Sequence, residues 1–189
     1  MTNSGKPWQL LNSLAEISSP WLKLIAERYQ DDQQKIIDYW RVEKEHSVII
    51  IVIYQQQLLL PVPIYRPGIK NITLDFAGGR LPSDRSPLAI VPTIIQRELG
   101  IDHTDIISLI PINSEGWNIN SSFSNQQLYG FAANLADQTI IDQSKIGAIY
   151  PINDQSIQLL LKQLTCLQCR SLLLEWYFNR SIDLKRSLT

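Results

Sequence analysis

The sequence predicts an α/β (α+β) fold in which a mixed β-sheet is sandwiched between helices. A run of mostly β-branched residues from Val48 to Tyr54 carries no charge, which is typical of a strand buried on both faces. A helix start at Ser86-Pro87 is followed by a glycine stop at Gly100. Apolar residues recur at helical spacing from Asp154 to Asn179, which indicates one long C-terminal helix or two.

The N-terminal part of the chain predicts strands. Residues 6–30 are apolar in patches, but Pro20 interrupts any long helix, so we expect an extended arm that is partly strand. Lys35 to Val42 alternates polar and apolar residues, as a hairpin strand does. The sequence therefore predicts an N-terminal β arm over residues 1–45, a main domain over 46–180 and a flexible tail over 181–189.

The middle of the chain predicts further short strands. Leu58 to Ile64 is one, and its prolines Pro61 and Pro63 indicate a sheet edge or a bulge. Asn71 to Phe76 is another, ending in Ala77-Gly78-Gly79, where the backbone is free to adopt a positive φ. The later predicted strands are Ile106 to Ile112, Gln127 to Asn134 and Ile146 to Ile152.

The composition argues against several functional classes. The 189 residues are 44% hydrophobic and 19% charged, which suits one compact domain with a sizeable core. A formal net charge of -1 does not indicate the positively charged surface that binding nucleic acid requires. Apolar runs are too short for a secretion signal or a transmembrane helix. We therefore expect a cytoplasmic protein that neither binds nucleic acid nor inserts into a membrane.

Two cysteines, Cys166 and Cys169, lie three residues apart in the C-terminal helical pattern. One Cys-x-x-Cys pair lacks the four ligands of a structural zinc site. We interpret both as small apolar fillers in a reducing cytoplasm, and the sequence assigns them no chemical role.

The order of Ala77-Gly78-Gly79, a loop, the Ser86-Pro87 helix and Gly100-Ile101 resembles the signature of the Nudix hydrolases. That signature reads G-x5-E-x7-R-E-U-x-E-E-x-G-U, with U apolar. With Gly79 as its opening glycine, the closing pair falls on Gly100-Ile101 without a gap. Other segments resemble the ADP-ribose pyrophosphatase branch: Pro20-Trp21-Leu22-Lys23, Asp38 to Glu43, Tyr65-Arg66-Pro67-Gly68 and Ser124 to Leu135. The resemblance spans about residues 18 to 180 and implies the Nudix fold.

The resemblance also implies a metal site. Family members hold one or more divalent ions, usually Mg²⁺, with glutamates one helical turn apart, and the ions bridge a diphosphate. In this register the signature's arginine is Thr93, and three of its acids become Arg85, Ile94 and Arg97. Glu98 alone is kept, so the signature is degenerate. Asp84 replaces the loop acid if the loop carries an insertion, and Glu115 lies where relatives draw an additional acid.

Pro92 falls inside the signature helix. It removes a backbone donor and crowds the carbonyl of Leu88, which predicts a kink that costs about 3 kcal/mol. A kink just before the acidic positions works against the accurate placement that metal chemistry requires.

Substrate contacts follow from the same resemblance. Arg66 matches a family arginine that contacts substrate phosphate, and the alternative is a structural ion pair at a strand end. Gly78 and Gly79 are implied to line the substrate site. Tyr39 or Trp40 resembles an aromatic that stacks on adenine, although strand alternation lets at most one of them line a given pocket. The alternative for both aromatics is packing in the core or in a dimer.

Our preferred hypothesis is a catalytically degenerate protein, a pseudoenzyme, that binds a nucleoside diphosphate derivative such as ADP-ribose or a protein partner. The alternative is an active Mg²⁺-dependent hydrolase with Glu98 and Glu115 as catalytic candidates and Glu98 and Asp84 as metal ligands. A third possibility is a purely structural role with a filled pocket. Relatives resemble dimers that exchange N-terminal strands, so we expect a homodimer that covers the apolar residues Trp8, Leu10, Leu11, Trp21 and Leu22.

Overall fold

The computed structural model describes residues 5–186, with side chains described as far as Ser181. The chain divides into two compact units. The first comprises the described residues up to Glu45 together with Asn118–Gln127, and the second comprises His46–Trp117 and the described residues from Leu128 onward. The segment 118–127 therefore joins the N-terminal unit, whereas the sequence division assigned it to the main domain.

The first unit is built on an antiparallel sheet in the order β1-β2-β3, with β1 at Gln9–Ser18, β2 at Lys23–Gln30 and β3 at Ile36–Glu43. Ser19 closes the turn after β1, because its hydroxyl accepts hydrogen bonds from the backbone N–H groups of Trp21 and Leu22, each at 3.2 Å. Pro20 therefore lies in a tight turn between two strands, and the predicted extended arm is a three-stranded meander.

The second unit is organised around β4 (His46–Tyr54), which is the buried strand that the sequence predicts. It pairs with two strands along one side, β5 (Gln57–Pro61) and β8 (Ala77–Leu81), both antiparallel. On its other side it pairs in parallel with β11 (Gln127–Leu135). The sheet path in the described residues runs β10-β11-β4-β5-β12, where β10 is Trp117–Asn118 and β12 is Ile146–Pro151; β9 (Ile106–Pro111) pairs with β11.

Of the two alternatives for the prolines of β5, the sheet edge is excluded, because β5 lies between β4 and β12. The register between β5 and β12 shifts at Pro61, opposite Ile146, which agrees with the predicted bulge. A second prediction about this region was wrong. The predicted strand over Asn71 to Phe76 is shorter and lies outside the main sheet. Only Asn71–Thr73 is a strand, β7, and it forms a separate hairpin with β6 (Ile64–Arg66). The chain then enters the main sheet at Ala77, with three residues between β7 and β8.

Helix α1 (Pro87–Leu99) begins and ends where the sequence predicts. The Ser86 hydroxyl accepts a hydrogen bond from the Ala89 N–H at 3.3 Å, and Gly100 ends the helix in the left-handed region with φ 72°. Its buried residues Val91, Ile94, Ile95 and Leu99 share one core with Val48, Ile50 and Val52 of β4. Residues of a strand alternate between faces, so α1 covers one face of the sheet.

The opposite face is covered by the C-terminal helices, α2 (Asp154–Gln163) and α3 (Leu167–Arg186). Gly130 of β11 pairs with Ile49, and a Cβ built on Gly130 would lie 2.0 Å from Leu172 Cδ1 of α3. The absence of that side chain lets α3 approach the sheet. The second unit is thus an α/β/α arrangement with a mixed sheet, as the sequence predicts.

Helix α3 continues to Arg186, and the remainder of the predicted loose tail lies outside the described residues. Among the described residues, no helix combines the length and apolar character that crossing a membrane requires.

Candidate functional site

The two glycines of the signature lie inside strand β8, where Gly78 pairs with Ile49 and Gly79 with Val48. Neither glycine uses its freedom to adopt a positive φ, since neither is among the described residues in that region. The structure gives another reason for the small residue. A Cβ on Gly79 would lie 3.1 Å from two side-chain carbons of Ile94 and 3.2 Å from Arg97 Nη2. Glycine here lets α1 lie close against β8.

Ile94 stands at the first helical acid position of the signature and is a core residue with 0% exposure. It belongs to the cluster that joins α1 to β4 and also includes Ala77 of β8. The position that would carry a metal-binding carboxylate is therefore occupied by a side chain that packs α1 on the sheet.

Arg97 connects the helix to the strand in a way that the sequence does not reveal. Its Nη2 donates to the Gly78 carbonyl oxygen at 2.8 Å, and its Nε donates to Glu98 Oε1 at 2.8 Å. One guanidinium thus binds a backbone carbonyl oxygen and a carboxylate oxygen. Its side chain is still 57% exposed, so the group lies at the surface of the site.

The residues present do not fit a divalent cation. Mg²⁺ binds through carboxylate and carbonyl oxygens in a near-octahedral arrangement. Glu98 and the Gly78 carbonyl supply such oxygens, but Glu98 Oε1 and the Gly78 carbonyl oxygen are both bound to Arg97. The position one turn before Glu98 is the buried Ile94, which has no oxygen in its side chain. A cation at this point would face the positive charge of Arg97 at close range.

The other candidate acids lie in exposed connections. Asp84 and Arg85 are both exposed, in a turn closed by a 3.1 Å hydrogen bond from the Arg85 N–H to the Pro82 carbonyl. Glu115 is also exposed, and its backbone carbonyl accepts a 2.6 Å hydrogen bond from Asn113 Nδ2. The described contacts bring neither Asp84 nor Glu115 to Glu98. The predicted roles of these acids in metal binding and catalysis therefore stay predictions.

Helix α1 is continuous through Pro92 from Pro87 to Leu99. Proline has no N–H, so the carbonyl of Leu88 loses its helical partner. Leu88 is exposed, so this lost hydrogen bond lies on the solvent side of α1. The buried residues on either side of Pro92, Val91 and Ile94, hold the helix against the sheet.

Arg66 ends strand β6 in an ion pair, which is the structural alternative that the sequence left open. Its Nη2 lies 2.8 Å from Asp75 Oδ2, and the Thr73 hydroxyl donates to the same oxygen at 2.8 Å. Asp75 is the more buried partner. A role for Arg66 in binding phosphate stays a prediction, and such a role would have to compete with this carboxylate.

Of the two aromatics on β3, Tyr39 has its contacts within the first unit. Its ring packs edge-on against Trp8 and Tyr29, with centroids 6.0 and 6.3 Å away, and its hydroxyl donates to the Ser122 carbonyl. Trp40 is exposed. The alternation that the sequence predicts therefore leaves Trp40 as the aromatic that is accessible to a ligand or to a second chain.

Asp75 belongs to a side-chain cluster that the sequence reasoning missed. Besides Arg66 it has Cys166 and Cys169 as neighbours, and the ligand atoms of these three residues lie within 4.8 Å of one another. The sequence separates Asp75 from the cysteines by about ninety residues, so no local pattern could have joined them.

Comparisons with known proteins support the fold. No family model matches the chain, and no curated protein matches it by sequence. Among solved structures, the crystal structure of an ADP compounds hydrolase matches with a TM-score of 0.75 and 15% sequence identity. The match covers 94% of this chain and 97% of the hydrolase chain. The likeness shows a shared fold, consistent with the Nudix fold that the sequence resemblance implies.

Proposed function

We propose that this chain is a degenerate Nudix-type protein that binds a nucleoside diphosphate derivative, such as ADP-ribose, without a divalent cation and without cleaving it. The observation that carries the proposal is the Arg97 guanidinium bound to both Gly78 O and Glu98 Oε1. A fixed organic cation then stands where an active relative would hold a metal ion. The description of the solved neighbour as a hydrolase of ADP compounds suggests the ligand class.

The chemistry of arginine suits a diphosphate. A guanidinium carries five N–H donors in a planar fork that matches phosphate oxygens. Arg97 donates two hydrogen bonds within the protein, and its side chain is exposed. Donors therefore remain for a phosphate. Unlike Mg²⁺, a guanidinium cannot lower the pKa of a bound water to generate a nucleophile, so binding is retained while hydrolysis is not.

The direct test is calorimetry with ADP-ribose, with EDTA present in one series and Mg²⁺ in the other. We expect the same dissociation constant in both, because the protein supplies the cation. Arg97→Gln removes one charge-assisted contact, which is worth about 1.5 kcal/mol, and should weaken binding about tenfold. The matched control is Lys162→Gln on α2, which removes one exposed positive charge away from α1 and should leave binding unchanged.

Binding that disappears in EDTA would overturn the proposal, because it would show that a metal ion bridges the ligand. Equal loss in Arg97→Gln and Lys162→Gln would also overturn it, since the effect would then come from net charge alone. The absence of ADP-ribose binding to the intact protein under both conditions would reject the ligand class.

We further propose that the protein is a homodimer in which the N-terminal strands of two copies cover each other. All ten residues of β1 are exposed, and they include Leu10, Leu11, Leu14 and Ile17. β1 is also an edge strand of its three-stranded sheet. Exposed apolar edges of this kind promote association. A second copy of the chain is the occupant that the family resemblance implies.

Ile17→Asp is expected to convert the dimer to a monomer, as measured by light scattering at micromolar concentration. A buried carboxylate at an interface without a partner is costly, whereas Ile17 is 62% exposed in one copy and can be replaced without disturbing its own fold. The matched control is Ile140→Asp, at an isoleucine that is 90% exposed in the other unit. A wild-type monomer, or dissociation by both variants alike, would contradict this proposal.

A further inference from the structure

Two thiols at the start of α3, Cys166 and Cys169, lie near the carboxylate of Asp75, and the proposed function uses none of the three. Cys166 immediately precedes the helix and is half-buried, whereas Cys169 lies in its first turn and is 1% exposed. The Arg170 N–H donates to the Cys166 carbonyl at 3.0 Å, which fixes the first turn. Arg170 also donates from its side chain to the carbonyls of Leu161 and Leu164 at the end of α2. The backbone on both sides of Cys166 is therefore held in place.

The two sulfurs are close to each other and have different surroundings. Their Sγ atoms and the Asp75 carboxylate lie within 4.8 Å of one another, and Cys169 Sγ is 3.9 Å from Asp75 Oδ1. A disulfide needs an S–S distance near 2.05 Å, so the two sulfurs, which lie within 4.8 Å of each other, must move closer for the bond to form. The half-buried Cys166 is the sulfur that a reagent from solvent meets first.

The same geometry separates the acidities of the two thiols. A hydrogen bond from Cys169, helped by the backbone N–H groups of Cys169 and Gln168, lowers the pKa of Cys166 to about 6. That hydrogen bond, burial and the nearby charge of Cys166 raise the pKa of Cys169. The accessible sulfur is thus a thiolate near neutral pH, and the buried one keeps its proton. This division is what thiol exchange requires of an attacking and a resolving cysteine.

We propose that Cys166 and Cys169 form a redox-active dithiol that closes reversibly to a disulfide by exchange with a low-molecular-weight disulfide. The Cys166 thiolate attacks one sulfur of the small disulfide, which forms a mixed disulfide and releases one small thiolate. Cys169 Sγ then attacks Cys166 Sγ, its proton passes to Asp75 Oδ1, and the second small thiolate leaves and takes up that proton. One small disulfide and two protein thiols become one protein disulfide and two small thiols.

A metal ion suits this cluster less well. Three protein ligands can hold a zinc ion with one open position, but each ligand must then be available to it. Asp75 Oδ2 already accepts hydrogen bonds from Arg66 and the Thr73 hydroxyl. The positive charge of Arg66 lies against the same carboxylate. The redox reaction needs only Asp75 Oδ1, which faces Cys169.

The experiment is a titration of the full-length protein in mixtures of reduced and oxidised glutathione, followed by intact-mass measurement after acid quenching. We expect a reversible loss of two hydrogens per chain. Cys166 should react with iodoacetamide at neutral pH at least about tenfold faster than Cys169, with a pH profile that follows an acidic thiol. Cys169→Ala should accumulate a mixed disulfide with glutathione at Cys166, and Cys166→Ser should form none.

Asp75→Asn supplies a readout that a purely structural role would not change. Closure of the mixed disulfide should become at least about tenfold slower, because the proton acceptor is lost. Alkylation of Cys166 should be at least as fast as in the wild type, since Asp75 opposes its ionisation. Thiols that remain free in excess oxidised glutathione would overturn the proposal. One zinc ion per chain in the purified protein, with no disulfide formed, would overturn it in favour of a metal site.

Discussion

Replacing Ile94 by alanine is expected to lower the free energy of unfolding by about 3 kcal/mol, measured by chemical denaturation. Ile94 has 0% exposure and lies between helix α1 and the sheet. Alanine would remove most of a buried side chain and leave a cavity that the rigid helix and strand cannot fill completely. The result would show that Ile94, at the position where the signature has a metal-binding acid, stabilises the core of this chain.

The matched control for this substitution is Leu88→Ala, in the first turn of the same helix. Leu88 is 49% exposed, and alanine has the higher helix propensity, so we expect a change within about 0.5 kcal/mol. Equal destabilisation by the two substitutions would contradict the assignment of Ile94 to the core. A loss of ADP-ribose binding by folded Ile94→Ala without loss of stability would contradict it as well.

Replacing Arg97 by glutamate is expected to create a weak divalent-cation site that the wild type lacks. Two carboxylates and the Gly78 carbonyl would then face one point, and the positive charge that now binds both oxygens would be gone. The shorter side chain leaves room for a partly hydrated ion. Mn²⁺ titration followed by magnetic resonance should give a dissociation constant on the order of millimolar for Arg97→Glu. The wild type should show no binding in that range.

Gln96→Glu is the matched control for the new cation site. Gln96 is the exposed neighbour of Arg97 on α1. The carboxylate introduced by Gln96→Glu therefore adds negative charge without facing Gly78. Mn²⁺ binding by Gln96→Glu equal to that of Arg97→Glu would show that net charge alone causes the effect. Binding of Mn²⁺ by the wild type, abolished in Glu98→Gln, would contradict the substitution of a guanidinium for the metal.

The fold was predictable because its strongest elements carry local signals. The uncharged β-branched run of β4 and the Ser86-Pro87 start and Gly100 stop of α1 are each set by residues close in sequence. The interior position of β5 was not predictable in this way. A strand becomes interior only when β12 pairs with it from about ninety residues away, and the sequence of β5 does not show that pairing.

The candidate site was predictable only in outline. The register of the signature identified Ile94, Arg97 and Glu98 as the residues that matter, but it could not show where their side chains point. The sequence showed only that the backbone at Gly79 is free, whereas the structure shows that the missing side chain lets α1 approach β8. The ion pair of Arg66 and the thiols of α3 meet at Asp75 through tertiary structure alone. Such convergence needs the fold before it can be recognised.

The central claim is that Arg97 replaces the metal ion and so removes hydrolysis. The most direct test is incubation of the protein with ADP-ribose and Mg²⁺ or Mn²⁺, with the released AMP measured for the wild type and Glu98→Gln. The account predicts that neither protein releases AMP above the protein-free rate. Wild-type turnover that depends on the metal ion and disappears in Glu98→Gln would contradict it, because Glu98 would then be a working metal ligand.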